Sequence, residues 1–299
     1  MNPLNAAIVQ FVKVLPKSVV HIFAKKYVAG EKLQDAMNVT RELNGKGILA
    51  TMDILGEAIN SKAEAAETKI LYFELLEKIE SEKLNANISI KPTALGLAID
   101  KDYCKDLIIE IIEKAKELNN FVRIDMEDSP FTQVTIDIFK ELKKTYSNVG
   151  IVLQSYLRRT YNDVSDLNKI GTNYRLCKGI YVEPEKIAFK DREEVRKNYI
   201  GSLEKMLDDG NYVGIATHDD YLIKEAYRLI EEKNISKDKY EFQMLYGVTE
   251  HLRDKINLDG HRIRVYVPYG EHWYAYSIRR LKENPQVAWY ITKSLFSFK

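Results

Sequence analysis

Two adjacent arginines near the end of the chain belong to a regular set of polar side chains. Tyr276, Arg279, Arg280 and Glu283 stand at positions i, i+3, i+4 and i+7, so a helix would carry all four on one stripe. Neighbouring guanidinium groups can form a forked clamp for a carboxylate or a phosphate, and the tyrosine would add an apolar wall. The alternative is a solvent-exposed helix with local Glu–Arg pairs, which does not account for the tyrosine.

A second group of reactive side chains stands at the ends of short β-branched segments. Any one of them could be half of a structural ion pair. Their recurrence in consecutive units instead indicates a cationic pocket for anions, namely a phosphate-bearing cofactor and a carboxylate substrate. The group consists of Asp53, Lys91, Asp125, Glu127, Gln154, Arg175, Lys178, Thr217, His218, Gln243 and Tyr266.

The same residues argue against two other kinds of site. His218 is the only histidine at a strand end and has no second histidine at ligand spacing, so we expect no catalytic metal. Cys177 lies within a β-branched segment and is predicted to be a small core residue rather than a nucleophile.

The segments that position these side chains alternate along the chain between two kinds. Longer stretches with apolar residues at three- and four-residue spacing, typical of amphipathic helices, separate the short β-branched segments. Strands that alternate with helices pair in parallel, and eight units predict a (β/α)8 barrel, whose chemistry lies at the carboxyl ends of the strands. The predicted strands span 47–54, 87–93, 121–127, 150–156, 174–181, 212–218, 240–247 and 262–268.

An open, doubly wound sheet is the alternative fold. Such a sheet usually has a glycine-rich turn after its first strand, whereas this chain has Asp-Ile-Leu-Gly-Glu at 53–57, without the G-x-G-x-x-G fingerprint. We therefore predict one domain of α/β class. Residues 1–45 would form extra helices packed on the barrel, residues 46–299 the catalytic barrel itself, and the final helix would fold over its mouth.

Composition limits the partners and the compartment. The 299 residues include 45 basic and 44 acidic side chains, a net charge of +1, so no strong field attracts nucleic acid. The two cysteines, Cys104 and Cys177, make no disulfide framework and suit a reducing compartment such as the cytoplasm.

The amino-terminal stretch 1–23 needs its own interpretation. Lys13, Pro16 and Lys17 interrupt its apolar run, which is too short to span a bilayer and lacks the pattern of a secretory signal. We expect a helix packed on the domain. A basic amphipathic helix that rests on a membrane surface is the alternative.

Taken together, these motifs resemble those of the monofunctional bacterial proline dehydrogenases. The likeness extends from about residue 25 to about residue 290 and is most specific in the Y-x-x-R-R-x-x-E block. The shared blocks are YVAGEKLQDA, MDILGE, ISIKPTALG, RIDMED, YRLCKGIYVEP, ATHDD, EFQMLYG, RVYVPYG and YSIRRLKENP. The resemblance implies a distorted (β/α)8 barrel that binds FAD at its mouth, without a Rossmann turn. It also implies the first step of proline catabolism, the oxidation of L-proline to 1-pyrroline-5-carboxylate by hydride transfer to flavin N5.

The resemblance also implies roles for individual residues. Asp125 and Arg175 correspond to catalytic positions. The substrate-binding positions are Lys91, Tyr181, Leu245, Tyr266, Tyr276, Arg279 and Arg280. The cofactor-binding positions are Met126, Gln154, Arg175, Lys178, Gly179, Ile180, Thr217, His218, Gln243 and Glu283. The family usually has alanine where Ile180 stands, and the larger side chain would narrow the substrate pocket or shift the ring.

The family passes its electrons to a membrane quinone, which implies peripheral contact with the inner face of the membrane.

Two other functions fit the residues without the resemblance. One is a Schiff-base aldolase with Lys91 or Lys178 as nucleophile and the arginines bound to phosphate. The other is a barrel that binds an anion and catalyses nothing.

Overall fold

The computed structural model describes residues 17–56, 59–274 and 276–278. Eight parallel strands form a closed barrel in chain order, and each lies within or beside a predicted segment. The strands are β1 (Leu49–Ile54), β2 (Ala86–Ile90), β3 (Val122–Ile124), β4 (Val149–Gln154), β5 (Asn173–Cys177), β6 (Tyr212–Ala216), β7 (Tyr240–Leu245) and β8 (Ile263–Tyr269). The predicted (β/α)8 barrel is confirmed, and the open sheet is wrong because β1 pairs with β8.

Besides two short 3-10 helices, at Pro92–Leu95 and Asn168–Ile170, and helical residues at 273–274 and 276–278, nine α-helices occupy the described part of the chain. They are α1 (Lys17–Tyr27), α2 (Leu33–Gly45), α3 (Lys62–Ser81), α4 (Lys101–Glu117), α5 (Ser129–Lys143), α6 (Thr160–Leu167), α7 (Arg192–Asp208), α8 (Asp220–Glu232) and α9 (Glu250–Leu258). Helices α3 to α9 follow β1 to β7 in order. Four of them begin where a side chain accepts hydrogen bonds from the free backbone N–H groups of the first turn. These caps are Ser61, Asp100, Asp191 and Asp219.

Helices α1 and α2 precede the barrel. In α1, Val20, Ala24 and Tyr27 are buried, and Tyr27 packs with Tyr276 in a small apolar cluster, so this helix lies against the domain. Residues 1–16 lie outside the described residues, and the division at residue 45 stays a prediction. Within the described ranges, no helix carries an apolar stretch long enough to cross a bilayer.

The two faces of the barrel wall differ in chemistry. Ile88, Ile90, Val122 and Ile124 are fully buried and belong to the main apolar core, which the helices cover. Alternate side chains of the same strands point into the barrel, since successive residues of a strand face opposite sides. Barrel interiors are commonly filled by branched apolar side chains, whereas this one is lined by polar and charged groups.

At the amino-terminal end of the barrel, the interior charge is enclosed by backbone. The guanidinium group of Arg123 donates to the carbonyl oxygens of Asn173 at 2.6 Å and Ile151 at 3.2 Å. Gly150 makes room for it, because a Cβ at that position would overlap the guanidinium group. Burial lowers the pKa of Arg123 to about 9, so the group stays charged at neutral pH and needs these acceptors.

Candidate active site

The carboxyl ends of the strands surround a cavity of about 650 Å³. Every predicted site residue that the structure describes lies in its wall. These residues are Lys91, Asp125, Met126, Gln154, Arg175, Lys178, Gly179, Ile180, Tyr181, Thr217, His218, Gln243, Leu245, Tyr266 and Tyr276. Three further predictions, Arg279, Arg280 and Glu283, lie outside the described residues.

Lys91 stands just beyond the end of β2, between two carboxylates. Its Nζ lies 2.6 Å from Asp53 Oδ1 and 3.7 Å from Asp125 Oδ2, and it also donates to the Tyr266 hydroxyl at 3.3 Å. Lys91 and Asp53 are both buried. Because water screens this pair little, the charges act strongly on whatever enters the cavity beside them.

Asp53, on β1, is an acid of this wall whose pKa is strongly perturbed. Burial raises its pKa strongly, Lys91 lowers it, and Asp125 raises it again, which leaves the pKa at about 6. Its Oδ2 is buried without a hydrogen-bond partner among the described residues. The sequence marks Asp53 as a polar strand end, and the resemblance implies no role for it.

Asp125 follows β3 and gathers three donors. Its Oδ1 accepts from Arg175 Nη1 at 2.7 Å and from the Ser89 hydroxyl at 2.6 Å. Its Oδ2 accepts from the Tyr266 hydroxyl at 2.9 Å. These contacts join β2, β3, β5 and β8 across the barrel, so the carboxylate is held in one orientation.

Arg175, on β5, faces both Asp125 and the floor of the cavity. Its Nε donates to Gln243 Oε1 at 2.6 Å, and its guanidinium carbon lies 5.2 Å from the centre of the Tyr266 ring. Burial, followed by the charges of Asp125 and Asp53, raises the pKa of Tyr266 well above its usual value. The phenol therefore remains a donor to Asp125.

The loop after β5 forms another part of the wall. Gly179 has a φ of +106°, and a Cβ at this position would overlap the Tyr156 ring, so glycine alone suits the site. The flanking Lys178 and Ile180 are both substantially exposed. The backbone here can approach a flat ligand closely, with a cation beside it.

His218, after β6, is fixed in one neutral form. Its Nε2 accepts from the Leu245 N–H at 3.0 Å, so Nδ1 carries the proton and donates to Thr249 Oγ1 at 2.8 Å. Both ring nitrogens are engaged in these hydrogen bonds. No group of His, Cys, Asp and Glu in the described ranges is arranged to hold a metal.

Gln154 ends β4 with an acceptor left over. Its Nε2 donates to the carbonyl oxygens of Met126 at 2.7 Å and Glu127 at 3.1 Å. Its Oε1 is buried without a hydrogen-bond partner among the described residues. Buried acceptors are usually satisfied, so this oxygen is suited to an N–H donor of a bound ligand.

Cys177 also borders the cavity, although the sequence predicted a core residue. Burial raises its pKa to about 11, so the thiol stays protonated and is no nucleophile. Tyr27 enters the same wall from α1. No feature of the sequence around Tyr27 marks it, because its position depends on how α1 packs.

Fold and site together define a (β/α)8-barrel enzyme whose mouth holds a cavity lined by paired charges and by apolar side chains. The family model described as proline dehydrogenase matches residues 36–291. The chain therefore belongs to the proline dehydrogenase family, which confirms the resemblance seen in the sequence.

Individual relatives agree. The chain is 40% identical over 264 residues to proline dehydrogenase 2 of Bacillus subtilis, covering 88% of this chain and 87% of that one. It is 37% identical over 278 residues to the proline dehydrogenase of Deinococcus radiodurans, covering 91% and 89%.

A solved structure shares the fold. It is proline utilization A (PutA) from Bdellovibrio bacteriovorus inactivated by N-propargylglycine, with a TM-score of 0.82 and 29% identity. The match covers 88% of this chain and 32% of that one, so the present chain spans about a third of that larger protein's length.

Proposed function

We propose that this chain is an FAD-dependent proline dehydrogenase that oxidises L-proline to 1-pyrroline-5-carboxylate. The observation that carries the proposal is the convergence of Lys91, Asp125, Arg175 and Tyr266 in one hydrogen-bonded group at the mouth of the barrel. Those four positions come from four separate sequence blocks of the family.

The substrate's carboxylate is assigned to Arg279 and Arg280, with Lys91 on a third side. Tyr276, which stands three and four residues before the arginines, is buried in the cavity wall. Helical spacing would bring the arginines to the same side as Tyr276. Tyr181, Leu245, Tyr266 and Tyr276 supply the box around the ring.

The chain's cations also prepare the substrate's amine. Loss of hydride from the carbon next to nitrogen requires a neutral amine, because a protonated nitrogen has no lone pair to donate. Lys91 and Arg175 are buried cations in the cavity wall, but each already pairs with a carboxylate, Asp53 or Asp125. The lowering of the amine's pKa that we propose therefore depends on the further positive charge of Arg279 and Arg280. Tyr266 and Asp125 hold Lys91 and Arg175 in place, so the orientation exists before substrate binds.

The residues of the wall fit a flavin. The cavity lies within the range of roughly 300–1,000 Å³ common for ligand pockets, Gln154 offers a buried acceptor, and Gly179 permits close approach. FAD, when bound, supplies the hydride acceptor at N5. The residues assigned to hold it are Met126, Gln154, Arg175, Lys178, Gly179, Ile180, Thr217, His218 and Gln243, together with Glu283 outside the described residues.

A quinone is the electron acceptor that we propose, with peripheral contact at the cytoplasmic face of the membrane. The family resemblance supports this acceptor. Beside the cavity, Val182 is 99% exposed and Ile180 is 49% exposed, so the rim presents apolar side chains to an apolar acceptor.

A visible spectrum of the purified protein, recorded before and after addition of L-proline without oxygen, tests the function. We expect flavin bands that bleach with proline. A colourless protein that cannot be reconstituted with FAD, or bands unchanged by proline, would overturn the proposal. Covalent trapping of a carbonyl substrate on Lys91 or Lys178 by borohydride would instead support the aldolase. A barrel that only binds anions would reduce no dye.

A further inference from the structure

A carboxylate lies inside the barrel beneath the site, on a residue to which the sequence assigned no role. Glu241, on β7, is 1% exposed. Its Oε1 accepts from Arg264 Nε at 2.6 Å and from Gln243 Nε2 at 2.6 Å. Arg264 is anchored in turn, because its Nη1 donates to the Ala50 carbonyl at 2.7 Å. Glu241 is therefore tied to the barrel wall on one side and to the cavity floor on the other.

The charge of Glu241 decides how its neighbour is turned. Burial alone would raise its pKa, but the charge and hydrogen bonds of Arg264, with the hydrogen bond from Gln243, bring the pKa below its usual value. An ionised carboxylate only accepts hydrogen bonds. Gln243 must then present its NH₂ group to Glu241.

The other end of the Gln243 amide meets a group that only donates. Its Oε1 accepts from Arg175 Nε at 2.6 Å, and a flipped amide would set an NH₂ group against the guanidinium. One amide orientation satisfies both neighbours. Glu241 thus acts on Arg175 through a single intervening side chain.

The amide occupies space that exists because position 214 is a glycine. Gly214, on β6, lies beneath it, and a Cβ at Gly214 would overlap Gln243 Nε2. The amide rests on bare backbone. A side chain of even one carbon at position 214 would push it away from Glu241, Arg175 or both.

We propose that Glu241 is a positioning residue for the oxidation, acting through Gln243 to hold Arg175 against Asp125. We call Arg264, Glu241, Gln243 and Arg175 the core relay. The inference rests on the proposed function, because Arg175 matters only if the chemistry takes place beside it. Glu241 itself is buried and does not line the cavity, so its effect on catalysis must pass through the relay.

The first test is Glu241→Gln in the flavin-loaded enzyme. We expect kcat for proline to fall roughly ten- to a hundredfold, because a small misplacement of a catalytic group is costly. The KM for proline should stay within about twofold, since the carboxylate clamp is assigned elsewhere. The flavin absorption bands should shift as Arg175 moves, whereas a merely structural role would lower the thermal midpoint and leave the bands in place.

The second test exchanges the two polar groups. Gln243→Glu alone sets two carboxylates against each other. The double variant E241Q/Q243E restores a matching set of donors and acceptors. The new amide at position 241 can accept from Arg264 and donate to position 243, and the new carboxylate at position 243 can accept from Arg175. The core relay requires the double variant to exceed both single variants in kcat. A double variant as poor as the product of the two single defects would refute it.

Gly214→Ala probes the relay without removing a charge, and it carries the test if Glu241→Gln fails to fold. We expect the same fall in kcat. The matched control is Gly45→Ala at the exposed end of α2, where a Cβ meets nothing within 4 Å; its kcat should equal that of the wild type.

The outcomes separate the two proposals. If the wild-type enzyme shows no proline-dependent bleaching, the proposed function fails. If the wild-type enzyme bleaches and E241Q matches it in kcat and spectrum, the core relay alone is wrong.

Discussion

The two ends of the barrel interior both bury charge, but they use it differently. At the amino-terminal end, Arg123 donates to the backbone carbonyls of Ile151 and Asn173 and to the neutral Asn173 side chain, and it is closed off from solvent. At the mouth, Lys91, Asp125 and Arg175 pair with one another and still border a cavity of about 650 Å³. An enclosed charge stabilises its surroundings, whereas a charge that borders a cavity acts on a ligand. Variants at the two ends should therefore fail in different ways.

The largest effect should come from the proposed carboxylate clamp at the mouth. Arg279→Ala or Arg280→Ala should raise the KM for proline roughly a hundredfold, because truncating one partner of a desolvated charge pair costs several kcal/mol. Steady-state kinetics and the flavin-to-protein ratio check this. Flavin loss with an unchanged KM would show that the arginines serve the cofactor instead.

Asp125→Asn should be nearly as severe and would sharpen the comparison. The amide keeps the shape of the carboxylate but can no longer accept from all three donors, so Arg175 loses its fixed position. We expect kcat/KM to fall roughly a hundredfold and the thermal midpoint to change little. A large loss of stability with normal kcat/KM would place Asp125 with the enclosed charges.

At the opposite end of the barrel, Arg123→Met should lower stability and leave activity nearly unchanged. Its loss leaves Asn173 without its charged donor, and an unsatisfied buried acceptor costs about 1–3 kcal/mol. Urea unfolding should report that loss, while kcat/KM stays within about threefold of the wild type. A variant that is stable but inactive would contradict the distinction between the two ends.

The raised pKa of Asp53 should make the protein less stable as pH rises, which is opposite to the usual effect of a paired carboxylate. Because burial raises its pKa from 3.8 to about 6, the protonated native form is favoured. The stabilisation that this protonated carboxyl group adds to the free energy of unfolding is full below pH 3.8 and is lost as pH rises through 6. Two pKa units correspond to about 3 kcal/mol. Unfolding in urea at several pH values should show this slope, and Asp53→Asn should remove it.

The smallest effect concerns substrate preference. The Tyr266 hydroxyl contacts both Lys91 and Asp125, and in the binding mode that we propose it fills space that a hydroxylated proline ring would need. Tyr266→Phe should improve the kcat/KM ratio of 4-hydroxyproline to proline by roughly three- to tenfold, about the discrimination expected from one small group. An unchanged ratio would remove Tyr266 from specificity.

The barrel could be predicted from sequence because eight β-branched segments alternate with helical ones. The ends of the strands could not. The predicted strand 174–181 stops at Cys177, since Gly179 adopts a φ of +106° and leaves the extended conformation. Likewise β3 ends at Ile124. Residue type shows which segments pair, but hydrogen bonds to neighbouring strands decide where pairing stops.

Part of the candidate site could also be predicted from the sequence. Polar residues at strand ends pointed to Lys91, Asp125 and Arg175, and the resemblance supplied their roles. The strict alternation of polar with apolar residues in segments such as ISIK and VRID was a signal of a polar interior. The contact of Glu241 with Gln243 could not be predicted, because it depends on the space above Gly214.

Closure of the barrel makes its first strand depend on its last. β1 pairs with β8 from Leu49 to Ile54, and Arg264 donates to Ala50 across a separation of 214 residues. During synthesis, β1 must wait for nearly the whole remaining chain before its partner emerges. Until then the sheet has two unpaired edges and an interior full of charge still exposed to water. Such a slow, non-local step leaves the nascent chain open to aggregation.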